Sequence, residues 1–356
     1  MAGTDRIPLN VLFGVPDYGP GRVRVTSDGR RLLLPVDGNV AEGTLRYTGR
    51  PLHAGERQRI GLPGVTNFVP FLSSERFALR SFYLQSGVEL RMSIGPGAIL
   101  NQIADPDACS GSLKLAARIV GKTLKPCFNR PAAVERTSRD GIARMLTGIG
   151  GLDVPKTIRV EPSTPSRLRD IIKESGLEYP VLVRELGTHR GISLSKVDAP
   201  GDLENTRPER GLYVSEFRDF KGADGYYRKL RIAMVGDDIF LRHCIIGEHW
   251  LLHGHNRAPG TQQKEREIFE LFDREWKSRL QPVFREISAR IDLDYFGMDC
   301  SIDDDGQVLL FEANAAMSII KSMGRGRSSS TMQATIARIT EAIEQRLVSL
   351  SQQAAG

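Results

Sequence analysis

The chain has 356 residues, 40% of them hydrophobic and 26% charged, an ordinary globular composition with room for roughly two or three separate cores. Its net charge of +6, from 49 Lys plus Arg against 43 Asp plus Glu, is spread out apart from a short cluster at Lys321 to Arg327. This argues against nucleic acid as a partner, which calls for a basic stripe with aromatics, and suits small anionic ligands.

No apolar run of about eighteen residues and no charged-then-apolar leader is present, so neither a membrane span nor export is expected. Cys109, Cys127, Cys244 and Cys300 show no Cys-x-x-Cys spacing, which fits reduced thiols in a cytoplasmic protein.

In chain order, Pro8 to Phe13 reads as a strand and Val23 to Val36 as a hairpin turning at Ser27-Asp28-Gly29. Phe77, Leu79, Phe82 and Leu84 predict a helix over 74–84, with Gly87 as its stop. Asp107 is placed to cap a helix running to about Gly121, and Ala132 to Leu146 reads as another. After a strand at Val154 to Val160, Thr164 caps and Pro165 opens a helix that Gly176 ends. Tyr179 to Leu194 reads as strand, turn, strand, the turn being Gly187-Thr-His-Arg-Gly191. Glycines in such a turn let backbone N–H groups approach phosphates, although a plain hairpin would use them too.

Tyr226 to His243 is a hairpin across Gly236-Asp237-Asp238, and Lys229 and Arg231, two apart, share a face. His243, His249, His253 and His255 cluster in a segment that runs into a Gly-rich loop around Trp250. No cysteine stands at zinc-site spacing, so a substrate-facing loop is preferred, with His253 or His255 touching the substrate. Thr261 to Ile291 reads as a helix broken or restarted at Pro282. Met323 to Ser330 reads as a mobile loop and Thr331 to Ser349 as an amphipathic terminal helix.

The most informative stretch is Tyr295 to Asn314. Two apolar runs flank an Asp-Asp-Gly turn, the pattern of a β-hairpin. Glu312 and Asn314 leave one strand on the same face, and a turn near Asp305-Gly306 brings Asp299 alongside. Two carboxylates and an amide oxygen make a hard, all-oxygen site suited to Mg²⁺ carrying nucleotide phosphates, with Mn²⁺ as an alternative. An EF-hand register beginning at Ser301 also fits the spacing, but it needs helices on both sides, where strands are predicted.

Phe296-Gly-Met-Asp299 and Phe311-Glu-Ala-Asn314 together resemble the metal-binding end of ATP-grasp enzymes, the RimK-like carboxylate–amine ligase branch in particular. The resemblance covers roughly Asn129 to Ile343. It implies an α/β fold in which residues 1–131 form a pre-ATP-grasp domain, 132–213 a small lobe and 214–356 a large lobe with the metal site. It implies ATP as cofactor, with Arg139 and Arg184 standing where the family normally has phosphate-binding lysines, and Gly187 and Gly191 in the phosphate-covering loop. Arg139 also fits a solvated helix arginine.

Glu216 and Phe217 then fall on the hinge strand beside adenine and ribose, though Phe217 equally suits a strand core. Lys229 and Arg231 meet transferred phosphate or substrate carboxylate, or else are strand surface charges. The implied reaction joins a small-molecule or peptide carboxylate to an amine through an acyl phosphate, releasing ADP and phosphate, in a chain open to homo-oligomerisation. A small-molecule kinase and a retired nucleotide-binding scaffold are the alternatives.

Overall fold

The computed structural model describes residues 6–14, 17, 26–27, 30–31, 33–36, 39–42, 69–84, 94–188, 191, 193–206, 211–254, 256–315, 317, 319 and 330–353. They form two compact units, one of Met1–Glu135 with Thr340–Gly356 and the other of Arg136–Ile339.

The first unit is built on β1 (Ile7–Gly14), whose last six residues are all buried. Two short antiparallel pairs follow, β2 (Thr26–Ser27) with β3 (Arg30–Arg31) and β4 (Leu33–Val36) with β5 (Asn39–Glu42). Strands β6 (Phe77–Leu84), β7 (Ala98–Asn101) and β8 (Cys127–Phe128) complete a parallel sheet of order β6-β1-β7-β8. The predicted helix over 74–84 is therefore a strand. Its aromatic-rich run pairs residue for residue with β1, and that pairing outweighs the helical spacing of its apolar residues. Helix α1 (Ser110–Thr123) starts without a side-chain cap from its preceding residue, Cys109. Asp107 is not its cap. Asp105 instead accepts from the backbone N–H groups of Asp107 and Ala108 at 2.8 and 3.0 Å. The long helix predicted over 132–146 is two: α2 (Pro131–Glu135) and α3 (Arg139–Leu146), which Ser138 caps by accepting from Gly141.

The second unit opens with α3 and carries two sheets. After β9 (Leu152–Asp153) comes β10 (Thr157–Val160), then α4 (Pro165–Glu174), where Thr164 accepts from Arg167 as predicted. Strands β11 (Val181–Glu185), β12 (Ser195–Val197) and β13 (Leu212–Glu216) join β10 in an antiparallel sheet of order β10-β13-β11-β12. Leu168 and Ile172 of α4 pack on it with Val160, Val181, Val183 and Val214, an apolar face that fixes its register.

The larger sheet has the order β15-β14-β16-β17-β9, with β14 (Tyr227–Val235), β15 (Asp238–Gly247), β16 (Tyr295–Ile302) and β17 (Val308–Asn314). The helix predicted over 261–291 is α5 (Gln262–Leu271), a π turn at Phe272–Trp276, the short α6 (Lys277–Arg279) and α7 (Gln281–Ile291), with Pro282 in the first turn of α7. Helix α8 (Ser330–Gln353) is the last element among the described residues. Both sides of the Asp303–Gln307 turn are strand, so the EF-hand reading fails. All four cysteines are free and buried. Among the described residues no helix is long and apolar enough to cross a membrane. The loop predicted over 323–330 lies outside the described residues apart from Ser330, which begins α8.

Candidate functional site

Four strands of the larger sheet set polar residues in one transverse line. His243 on β15 is opposite Arg231 on β14, Arg231 is opposite Asp299 on β16, and Asp299 is opposite Glu312 on β17. Directly opposed residues project from the same face with their Cβ atoms about 5 Å apart. Two β-bulges create this alignment. One shifts the β14–β15 register between Arg231 and Ile232, and the other shifts β16–β17 between Asp299 and Cys300. On unbroken hairpin registers Arg231 would face Arg242 and Asp299 would face Phe311. Bulges re-aim side chains in this way beside functional sites.

Arg231 grips Asp299 with two hydrogen bonds, Nε to Oδ1 and Nη2 to Oδ2, both 2.7 Å. Lys229 Nζ stands 3.8 Å from Asp299 Oδ2 and donates to the Leu252 carbonyl at 2.5 Å. Glu312 accepts a hydrogen bond from Arg139 of α3, and Arg184 Nη1 of β11 lies 3.9 Å from the same oxygen. Arg139 is thus turned onto the candidate metal ligands rather than onto open solvent. Four cations converge on two carboxylates, an imbalance that favours an anionic ligand.

The electrostatics follow the packing. Burial opposes charge on Glu312, but Arg139, Arg184 and Arg231 hold its carboxyl far below the ordinary glutamate range. Burial likewise opposes charge on Arg231, yet Asp299 holds the guanidinium above the usual arginine value. Burial, with Arg139 adding repulsion and Glu312 only partly compensating, pushes Arg184 down to about 10. His243 is driven well below the ordinary histidine range, first by burial and then by Arg231, Arg242, Lys229 and Arg257.

Among the described residues no three His, Cys, Asp or Glu side chains come together to hold a metal. A divalent site here would therefore need Asn314. Its Oδ1 is buried without a hydrogen-bond partner, two residues along the strand from Glu312. A buried orphan acceptor on the same strand as Glu312, with Asp299 opposite Glu312, is an all-oxygen donor set that fits Mg²⁺ or Mn²⁺.

The remaining predicted residues form two further groups. Glu216 at the end of β13 accepts from the Lys156 backbone N–H at 2.9 Å and from Arg218 at 2.8 Å. Phe217 stacks edge-on with Trp250 at 5.7 Å, and Lys196 Nζ lies 4.6 Å above its ring. Trp250 and Lys196 were not singled out from sequence as partners of Phe217, because nothing local joins positions so far apart.

Gly187 and Gly191 take left-handed backbone conformations, φ +71° and +73°. A Cβ on Gly191 would stand 2.5 Å from His253 Nε2, so Gly191 lies directly against His253. His255 lies outside the described residues. A Gly191→Ala variant is expected to lose about 1–2 kcal/mol of stability in denaturant titrations. Adding His253→Ala should recover the part due to the clash and leave the backbone strain. Equal stability of Gly191→Ala and the parent would contradict this packing.

No protein-family model and no curated protein matches the chain. Solved structures do. The VanG D-Ala:D-Ser ligase from Enterococcus faecalis has a TM-score of 0.51 at 10% identity, covering 98% of this chain and 100% of that one. A RimK domain protein ATP-grasp from Sphaerobacter thermophilus has a TM-score of 0.43 at 14% identity, covering 76% of this chain and 90% of that one. The ATP-grasp ligase PsnB, solved with a phosphomimetic variant of its minimal precursor, Mg and ADP, has a TM-score of 0.39 at 15% identity, covering 66% and 67% respectively.

Proposed function

From the α/β ATP-grasp fold of this chain, we propose that it is an ATP-dependent carboxylate–amine ligase forming an amide or peptide bond and releasing ADP and phosphate. The observation that carries this reading is the line Arg231–Asp299–Glu312, onto which Arg139, Arg184 and Lys229 also converge. Such a cluster has little use for a neutral ligand. It matches a triphosphate and a transferring phosphoryl group, whose chemistry needs positioning and charge neutralisation more than a nucleophilic side chain.

In this reading Arg139 and Arg184 hold phosphate oxygens where lysines are usual, and a planar guanidinium can do so with two hydrogen bonds. Arg231 and Lys229 offset the charge that builds as the γ-phosphoryl group passes to the substrate carboxylate. Asp299, Glu312 and Asn314 would hold Mg²⁺, which supplies further neutralisation and orients the phosphates. Glu216 and Phe217, with Trp250 and Lys196 around them, hold the nucleoside. The Gly187–Gly191 turn covers the phosphates, and His253 against it borders the acceptor. We place this activity in the cytoplasm, on small-molecule or peptide substrates.

The test is ADP release from Mg²⁺-ATP in the presence of mixed amino acids and short peptides. The expected result is release that requires both a carboxylate and an amine, with a product whose mass is their sum less one water. A stable phosphoester would instead make the protein a kinase. Tight ATP binding without turnover would make it a scaffold.

A further inference from the structure

Asn314 is the last residue of β17, and its Oδ1 is buried without a hydrogen-bond partner. No hydrogen bond to that oxygen aims it, so its direction depends on the course of the chain that leaves the strand. Asn314 is opposite Gly297 on β16, and Tyr295, Gly297 and Asp299 alternate onto one face of the sheet. Beyond Asn314 the chain crosses that face, with the buried side chains of Met317 and Ile319 directly over Gly297. A Cβ on Gly297 would stand 2.7 Å from both Met317 Cβ and Ile319 Cδ1, closer than such atoms approach. The backbone at Gly297 is not left-handed, so this glycine supplies room for the crossing chain rather than conformational freedom. Two buried side chains then tie the crossing down by its carbonyls. The Tyr295 hydroxyl donates to the Met317 carbonyl at 3.1 Å, and Arg242 Nε of β15 donates to the Ile319 carbonyl.

We infer that Tyr295, Gly297 and Arg242 are positioning residues of the metal site, which fix the chain after β17 so that Asn314 Oδ1 is aimed before the ion arrives. This rests on the Mg²⁺ site of the ligase reading. Mg²⁺ demands near-ideal octahedral geometry, so a ligand free to drift holds it poorly. Groups that orient metal ligands from behind are worth about 10–100-fold in metal affinity. All three residues act through Asn314, by fixing the backbone that carries it.

Binding of Mn²⁺ in the presence of ADP tests this without turnover. Water proton relaxation reads it, because relaxation is enhanced when Mn²⁺ joins the slowly tumbling protein–ADP complex. The parent, Tyr295→Phe and Gly297→Ala would be titrated, each with Asn314 intact and with Asn314→Ala. Tyr295→Phe keeps the ring and loses only the tie to Met317, and it is expected to weaken Mn²⁺ binding about tenfold. Gly297→Ala, which pushes the crossing chain off the sheet, should weaken it at least as much. In the Asn314→Ala background, where Asp299 and Glu312 still draw the ion, each change should have less than about a twofold effect, the coupling expected of residues that act through one ligand. Parental Mn²⁺ binding by Tyr295→Phe would overturn the assignment. So would an equal loss with and without Asn314, which marks general loosening of the fold. If the parent bound ADP with no relaxation enhancement, the metal site itself would fail and this role with it, a result distinct from failure of Tyr295 and Gly297 alone.

Discussion

An Arg231→Met variant is expected to lose roughly 3–5 kcal/mol of folding stability, because it strands a buried carboxylate. Asp299 has a side-chain exposure of only 4%, and both of its oxygens are hydrogen-bonded to Arg231 at 2.7 Å. The next cation, Lys229, is 3.8 Å away and already donates to the Leu252 carbonyl, so it cannot take over both oxygens. The pair as a whole need not be stabilising. Arg231→Met combined with Asp299→Leu should therefore recover most of the loss while remaining inactive. Urea titrations of the two singles and the double would close this cycle. A single-variant cost below about 1 kcal/mol would mean that Asp299 is solvated or paired elsewhere.

A Glu312→Gln variant should lose function more than stability. It keeps the side-chain size but removes the charge that Arg139 and Arg184 share. ADP release is expected to fall by about 10²–10³-fold, the range seen when one preorganised electrostatic contact at a transition state is lost. Its acid behaviour should also change. The Glu312 carboxyl is held below its unfolded value by neighbouring arginines. Its contribution is therefore fully present above about pH 4.3 and is lost as pH falls from there toward the folded value. The parent should lose an increment of stability in that acid window that Glu312→Gln lacks. Coincident stability profiles for the two would show that the arginines do not hold this carboxylate in solution.

Much of the second unit could be read from local chemistry. Thr164 and Pro165 announced α4, the Gly236-Asp237 turn announced the β14–β15 hairpin, and the Asp305-Gly306 turn announced the strands bearing Asp299 and Glu312. Each rests on contacts a few residues apart. The alignment of the site was less legible, since it depends on two one-residue register shifts that no turn residue signals. Hairpin counting alone would have paired Arg231 with Arg242, and His243 would have remained one member of a histidine-rich loop.

Long-range pairing was illegible for the same reason. Phe77–Leu84 has helical spacing in isolation and becomes a strand only because β1 lies alongside it. Likewise Arg139 of α3 and Arg184 of β11 reach Glu312 across 173 and 128 residues of sequence. That convergence gives both arginines a physical reason for their place, which resemblance to lysine positions alone did not supply.

Oxygen tracing tests the central claim most directly. With ATP, Mg²⁺ and an amino acid and peptide mixture whose carboxylates carry ¹⁸O, phosphoryl transfer to carboxylate followed by amine attack leaves one labelled oxygen in the phosphate. The account predicts one ¹⁸O atom in inorganic phosphate for each ADP formed, with amide product accumulating in step. ADP release with unlabelled phosphate, or release of AMP and pyrophosphate, would contradict an acyl phosphate route and with it the role given to Arg231, Asp299 and Glu312.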